Sequence, residues 1–154
     1  MYFSFKDSDF SFEVSKHFDI SSVNQKINEE EYLEIKLENS QHNFGFVLNY
    51  RPIKNNLEQL IKESYNQQLL ELATGTNPKM SQDGKSYKVE IYGPVANPYM
   101  FHTTDKINHF LHGMMFICSD PKKKCDINID SLRPIIKYFE EDMENIIKTI
   151  KWSN

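Results

Sequence analysis

The feature that most constrains this chain is a change of hydrophobic period partway along it. Phe10, Phe12 and Val14 alternate with Ser11 and Glu13, and Leu33, Ile35 and Leu37 alternate with Tyr32, Glu34 and Lys36. Phe44, Phe46, Leu48 and Tyr50 continue the pattern, with Asn39-Ser40-Gln41-His42 as a hairpin connection before them. Alternation by two puts successive side chains on opposite faces of a strand, so three half-buried strands are predicted. Pro52 ends the third, because proline has no N–H for a ladder. From Leu57 the spacing becomes three and four: Leu57, Leu60, Ile61, Ser64, Gln68, Leu69 and Leu72. That stripe predicts an amphipathic helix over about 56–73, capped by Asn55 or Asn56 and closed by Thr74-Gly75.

The period then returns to two. Met80 to Gln82 and Lys85 to Tyr92 flank Asp83-Gly84, a pair suited to the positive φ angles of a type I′ turn. Pro94 and Pro98 bracket a loop, Tyr99 to Thr104 form a further strand, and Asp105-Lys106 turn the chain into Ile107 to Cys118. That last run is apolar at both alternating sets of positions, as a central strand covered on both sides should be. A second helix is predicted over about 132–151, beginning near Asp130 or Ser131. Its stripe is Ile135, Ile136, Phe139, Met143, Ile146, Ile147 and Ile150, with Glu140, Glu141 and Glu144 outside it. Hairpin-length connections favour antiparallel pairing. The expectation is one globular α+β domain over 1–154: a mainly antiparallel sheet of about six or seven strands packed with two amphipathic helices.

Composition matters here mainly for what it excludes. Eighteen Lys and Arg against 22 Asp and Glu give a net charge of −4, and the single basic run, Lys122-Lys123-Lys124, is flanked by Asp120 and Asp126. A nucleic-acid binder concentrates positive charge, so that class is disfavoured. The N-terminus, Met1-Tyr2-Phe3-Ser4-Phe5-Lys6-Asp7, lacks the basic start and apolar run of an export signal. The stretch Gly113 to Cys118 falls far short of a bilayer span. With Met1 as the native start, the expectation is a cytoplasmic protein without a membrane partner, its Cys118 and Cys125 able to stay reduced.

Chemical motifs are sparse. His109 and His112 would share one face of a helix, but on a strand a spacing of three puts them on opposite faces, which argues against a joint metal site. His102, on the preceding strand, is placed to sit across the hairpin from one of them. Asp126-Ile127-Asn128-Ile129-Asp130 imitates the opening of a calcium loop. It fails at Ser131, where a turn glycine is needed, and at Lys137, where a bidentate carboxylate is needed. No two glycines lie close enough to cradle a phosphate. The expectations are therefore no metal, no cofactor and no catalysis. Two surface features remain. Between Asp19 and Glu38 six acids (Asp19, Glu29, Glu30, Glu31, Glu34, Glu38) face two lysines, a patch able to steer a basic partner. The loop from Tyr92 to Phe101 carries Tyr92, Tyr99 and Phe101 around prolines, the composition of an interface hot spot unless those rings face the core.

The strand Phe10-Ser11-Phe12-Glu13-Val14 at the start, with Ile146-Ile147-Lys148-Thr149-Ile150-Lys151-Trp152 closing the last helix, resembles the PsbP-like fold shared by DcrB-like bacterial proteins. That resemblance implies a binding, chaperone or adaptor role. Taken with size and acidity, the first expectation is a bacterial immunity protein that neutralises a cognate toxin. Its binding residues would be Glu29, Glu30, Glu31, Glu34, Glu38, Tyr92, Tyr99 and Phe101. The alternatives are a secretion-associated effector chaperone and an enzyme using Cys118 or the histidines.

Overall fold

The computed structural model describes residues 1–27, 29–65, 71, 73–93, 97–117 and 129–153. In chain order the elements are β1 (Tyr2–Lys6), β2 (Phe10–Ser15), β3 (Asp19–Ile27), β4 (Glu30–Asn39), β5 (Phe44–Pro52), α1 (Leu57–Ser64), β6 (Gly75–Met80), β7 (Ser86–Tyr92), β8 (Tyr99–Thr104), β9 (His109–Ile117), α2 (Ile129–Thr149) and β10 (Lys151–Trp152). Seven strands form one antiparallel sheet in the order β3-β4-β5-β9-β8-β7-β6, and β1, β2 and β10 form a separate sheet of three. The α+β class and the antiparallel pairing follow the sequence pattern. The doubly apolar run becomes β9, in the middle of the larger sheet, where both faces need cover.

The two faces of that sheet are built differently. One, the inner face, meets α2 and the three-stranded sheet. Phe139 of α2 stacks on Phe44 with ring centres 5.0 Å apart, and Phe10 of β2 lies 4.7 Å from the Tyr50 ring. Ile35, Leu37, Phe46, Leu48 and Leu111 fill the space between, all buried. Each such side chain stabilises by about 1.5–3 kcal/mol relative to exposure, so this face dominates the folding energy. The opposite, outer face carries Phe110, His112 and Met114 from β9, Asn49 and Arg51 from β5, and His102 from β8. The short helix α1 crosses it, burying Leu60.

Several sequence expectations are corrected. The first helix is described over Leu57–Ser64, not to 73: Tyr65 is already extended, and 66–70 and 72 lie outside the described residues. Thr74-Gly75 does not close it; the Thr74 N–H bonds the Tyr92 carbonyl at 2.9 Å and Gly75 opens β6. Asn56 precedes the helix, but its side chain accepts from the Lys54 N–H at 2.8 Å instead of capping the first turn. At Asp83-Gly84 only Gly84 has positive φ, +69°, so the turn is not type I′. The loop is instead closed by Ser81 and Ser86, the Gly84 N–H bonding the Ser81 carbonyl at 3.0 Å. Phe10 to Val14 form the middle strand of the smaller sheet and do not belong to the larger one. β1, β3 and β10 come in addition to the strands the alternation marked, and the strand expected at Met80 to Gln82 lies instead at Gly75–Met80, with Ser81 and Gln82 in the connection to β7.

β6 is an edge strand with Pro78 at its middle, paired opposite Val89. An edge is where a sheet tolerates a residue without an N–H.

Candidate functional site

α1 and Tyr65 lie between two hollows on the outer face. The first, of about 520 Å³, is formed where β4, β5 and β9 pass beneath α1. Its floor is Phe110, His112 and Met114 with Asn49; its walls are Tyr32, Arg51, Glu30 and Glu63. Strand alternation aims these side chains: Asn49 and Arg51 occupy outward positions that alternate with the inward Leu48 and Tyr50. Asn49 and His112 are register partners across β5 and β9, so their side chains stand side by side.

Arg51 is held between two carboxylates. Its Nη2 donates to Glu30 Oε2 at 2.8 Å and its Nη1 to Glu63 Oε2 at 2.7 Å. Burial disfavours its charge, yet the hydrogen bonds to Glu63 and Glu30 hold its pKa above the usual value. Glu63 is held below its ordinary value by that bond and by the amide of Gln59, one helical turn away, at 2.8 Å. These groups tie α1 to the sheet.

His112 is 4% exposed, and burial, with His102 alongside, pulls its pKa down to about 3. Its Nε2 and the Asn49 Oδ1 are buried without a hydrogen-bond partner. Buried polar atoms almost always have partners, and an orphan costs about 1–3 kcal/mol, so two adjacent ones at the floor of one hollow need a reason. His102 stands opposite His112 in the β8–β9 register. It shares a 2.6 Å hydrogen bond with the Tyr65 hydroxyl, and burial lowers its pKa to about 4. The Tyr65 ring meets His112 edge-on at 5.3 Å and Tyr87 at 5.7 Å. Beyond it lies the second hollow, about 550 Å³, more apolar, between Leu57, Ile61, Met80, Tyr87 and Val89, with Lys106 at its edge.

The histidines separate as strand geometry requires. His109 faces inward, stacked on Trp152 with planes 1° apart, and its Nε2 donates to the Ser153 carbonyl at 2.8 Å. Its Nδ1 shares a 2.6 Å hydrogen bond with the Tyr50 hydroxyl, so both ring nitrogens are partnered. His109 and His112 therefore share no ligand. Among the described residues no three His, Cys, Asp or Glu side chains gather as a metal site. Cys118, Cys125, the lysine run at 122–124 and residues 126–128 lie outside the described residues.

The eight partner-binding candidates do not come together. Glu29, Glu31 and Glu38 are exposed, with Lys26 3.8 Å from Glu31. Glu30 is committed to Arg51, and half-buried Glu34 lies 3.9 Å from Lys36. Tyr99 and Phe101 are interior, correcting their expected place on a loop surface. Tyr99 donates to Glu90 at 2.6 Å, a carboxylate also held by Arg133 at 3.1 Å and Lys137 at 3.4 Å. Phe101 packs flat on Gly113, where an added Cβ would lie 2.1 Å from its ring. Tyr92 is half-buried with the Arg133 guanidinium 5.2 Å over its ring. Of the cleft residues, Asn49 and Arg51 carry no motif in the sequence, and His112 stands out there only as a metal-ligand candidate beside His109. The available signal was a lone imidazole within a strand otherwise apolar on its outer positions.

An antiparallel sheet sealed on one face and hollowed on the other defines an α+β domain with its polar opening on one side. Residues 2–152 match the family of the gliding motility lipoprotein GldD, and the chain belongs to that family. No curated protein and no solved structure matches it. The family corrects four expectations. The chain is not identified with the PsbP-like and DcrB-like proteins: Trp152 pairs with Phe10 across β10 and β2, so the two segments behind that resemblance record one local packing contact. The immunity-protein reading, with its toxin, and the effector-chaperone reading are overturned by a motility family. A lipoprotein family overturns the cytoplasmic expectation.

Proposed function

We propose that this chain is a lipid-anchored, non-catalytic binding component of a bacterial gliding apparatus. The observation that carries the reading is the family match over residues 2–152. Among the described residues no helix is long and apolar enough to cross a membrane. A lipid anchor requires none, since acyl chains supply about 0.8 kcal/mol per buried CH₂ while the folded domain stays in water. Binding without catalysis is supported by how the cleft holds its ionisable groups. An imidazole with a pKa near 3 is too weak a base to take a proton at neutral pH. The carboxylates Glu30 and Glu63 are already engaged by Arg51. A protein partner in the apparatus would find exposed acid at Glu29, Glu31 and Glu38 on the β3–β4 hairpin.

Deletion of the gene in its own host should abolish surface translocation, and the intact gene should restore it. In detergent phase partition, the native protein should enter the detergent phase. Undiminished gliding in the deletion strain would remove the motility role; recovery wholly in the aqueous phase would remove the anchor.

A further inference from the structure

The cleft beneath α1 has a floor that the protein leaves chemically incomplete. His112 is more than nine-tenths buried with Nε2 unpartnered, and the adjacent Asn49 Oδ1 is likewise buried and unpartnered. We infer that this cleft is a binding site for a neutral, hydroxyl-rich ligand, a short saccharide or similar polyol.

Charge selects against the alternatives. Glu30 and Glu63 against Arg51 leave one net negative charge on the wall, with the guanidinium charge shared between two carboxylates. A phosphate or carboxylate would meet repulsion there and find no unpaired cation among the described residues that line the cleft. An ammonium would be drawn to the acidic wall and away from the floor, whose groups are neutral. A hydroxyl suits the floor better than either, because it donates and accepts through one oxygen. It can therefore complete the imidazole Nε2 in either tautomer and accept from, or donate to, the Asn49 amide. Tyr32 on the wall and Phe110 on the floor add aromatic surface beside the polar groups. The volume, about 520 Å³, lies within the ~300–1,000 Å³ of small-molecule sites and suits more than one sugar ring. The site goes beyond the motility role and does not depend on it: a titration reads the cleft, a translocation assay reads the apparatus.

The test is side-chain NMR on the ¹⁵N-labelled whole chain, with the imidazole of His112 assigned by its disappearance in His112→Phe. Maltotriose, cellotriose and chitotriose serve as neutral probes, citrate as the anion and putrescine as the cation. At least one neutral trisaccharide should move the His112 Nε2 resonance saturably at up to roughly 20 mM, while citrate and putrescine leave it in place. Asn49→Val should weaken that binding roughly tenfold, the loss of a hydrogen bond to a buried polar group. Tyr32→Ala should weaken it as well, providing a second variant should Asn49→Val fail to fold. Three results would each overturn the site: no response to any of the three sugars, a response to citrate or putrescine alone, or a sugar response unchanged in the folded variants.

Discussion

His109 and His112 lie three residues apart on one strand, are equally hidden from solvent, and have opposite fates. His109 looks inward, where both ring nitrogens are hydrogen-bonded and Trp152 stacks on its plane. His112 looks outward into the cleft, where Nε2 has no partner. The same contrast holds for whole faces of the sheet. On the inner face even the buried carboxylate of Glu90 has three donors. On the outer face, buried His112 and the buried side-chain oxygen of half-buried Asn49 are left incomplete. Burial alone therefore does not separate framework from site; completion of hydrogen bonding does.

The comparison can be broken at several points. Phe139→Ala, which removes a fully buried ring stacked between Phe18 and Phe44, should cost about 3–5 kcal/mol in urea unfolding. A loss below about 1 kcal/mol would deny the inner face its dominance. The pH dependence comes next. His102 and His112 have folded pKa values of about 4 and 3, so the unfolded chain takes up their protons first, near 6.5. Their contribution is whole above pH 6.5 and declines as pH falls toward those values. Asp142 opposes them: burial raises its pKa to about 6, so the folded chain binds its proton first and gains stability as pH falls from 6 to 3.8. Two histidines against one carboxylate leave a net loss on the order of 1 kcal/mol per pH unit near pH 5. Denaturant titrations at pH 7, 6 and 5 measure it, and a flat profile would contradict the buried neutral pair.

His109→Phe keeps the stacking surface but strands the Tyr50 hydroxyl and the Ser153 carbonyl, for a loss of about 1–3 kcal/mol. Arg51→Met should cost no more than about 1 kcal/mol, because both its carboxylates are about half exposed and their attraction is screened. His112→Phe should sit at the bottom of the series, within about 0.5 kcal/mol of the parent or above it at neutral pH, since it removes an unsatisfied atom. It should also flatten the acid slope. Equal losses for His109→Phe and His112→Phe would erase the distinction between the faces.

Much of this layout is written in local periodicity. Phe10 to Val14, Leu33 to Leu37 and Phe44 to Tyr50 alternate because one side of each strand enters the core, and β8 runs from Tyr99 to Thr104 as its pattern indicates. The doubly apolar β9 announced its central place for the same reason. What periodicity lacks is pairing. Nothing in Phe10-Ser11-Phe12 says that its neighbours are β1 and β10 and not the larger sheet; that follows from Trp152 meeting Phe10 across a separation of 142 positions. β3 was hidden because Ser21, Ser22, Asn24 and Gln25 have no core side to declare: the strand is held by β4 from the sheet's edge. The cleft was hidden for a related reason. Its residues come from three strands and a helix, and the property that marks it, an orphaned nitrogen, exists only once those strands are side by side.

Pro78 has a consequence for how copies of this chain behave together. A sheet edge is a template on which another strand can grow, and β6 is such an edge. With a proline at its centre and Lys79 beside it, the template is interrupted where an incoming strand would need continuity. Molecules tethered to one membrane, as proposed, meet in two dimensions at high local concentration, the condition under which open edges fuse into fibrous assemblies. An edge strand that carries its own stop at Pro78 resists that fusion on the β6 side of the sheet, even where such molecules are crowded.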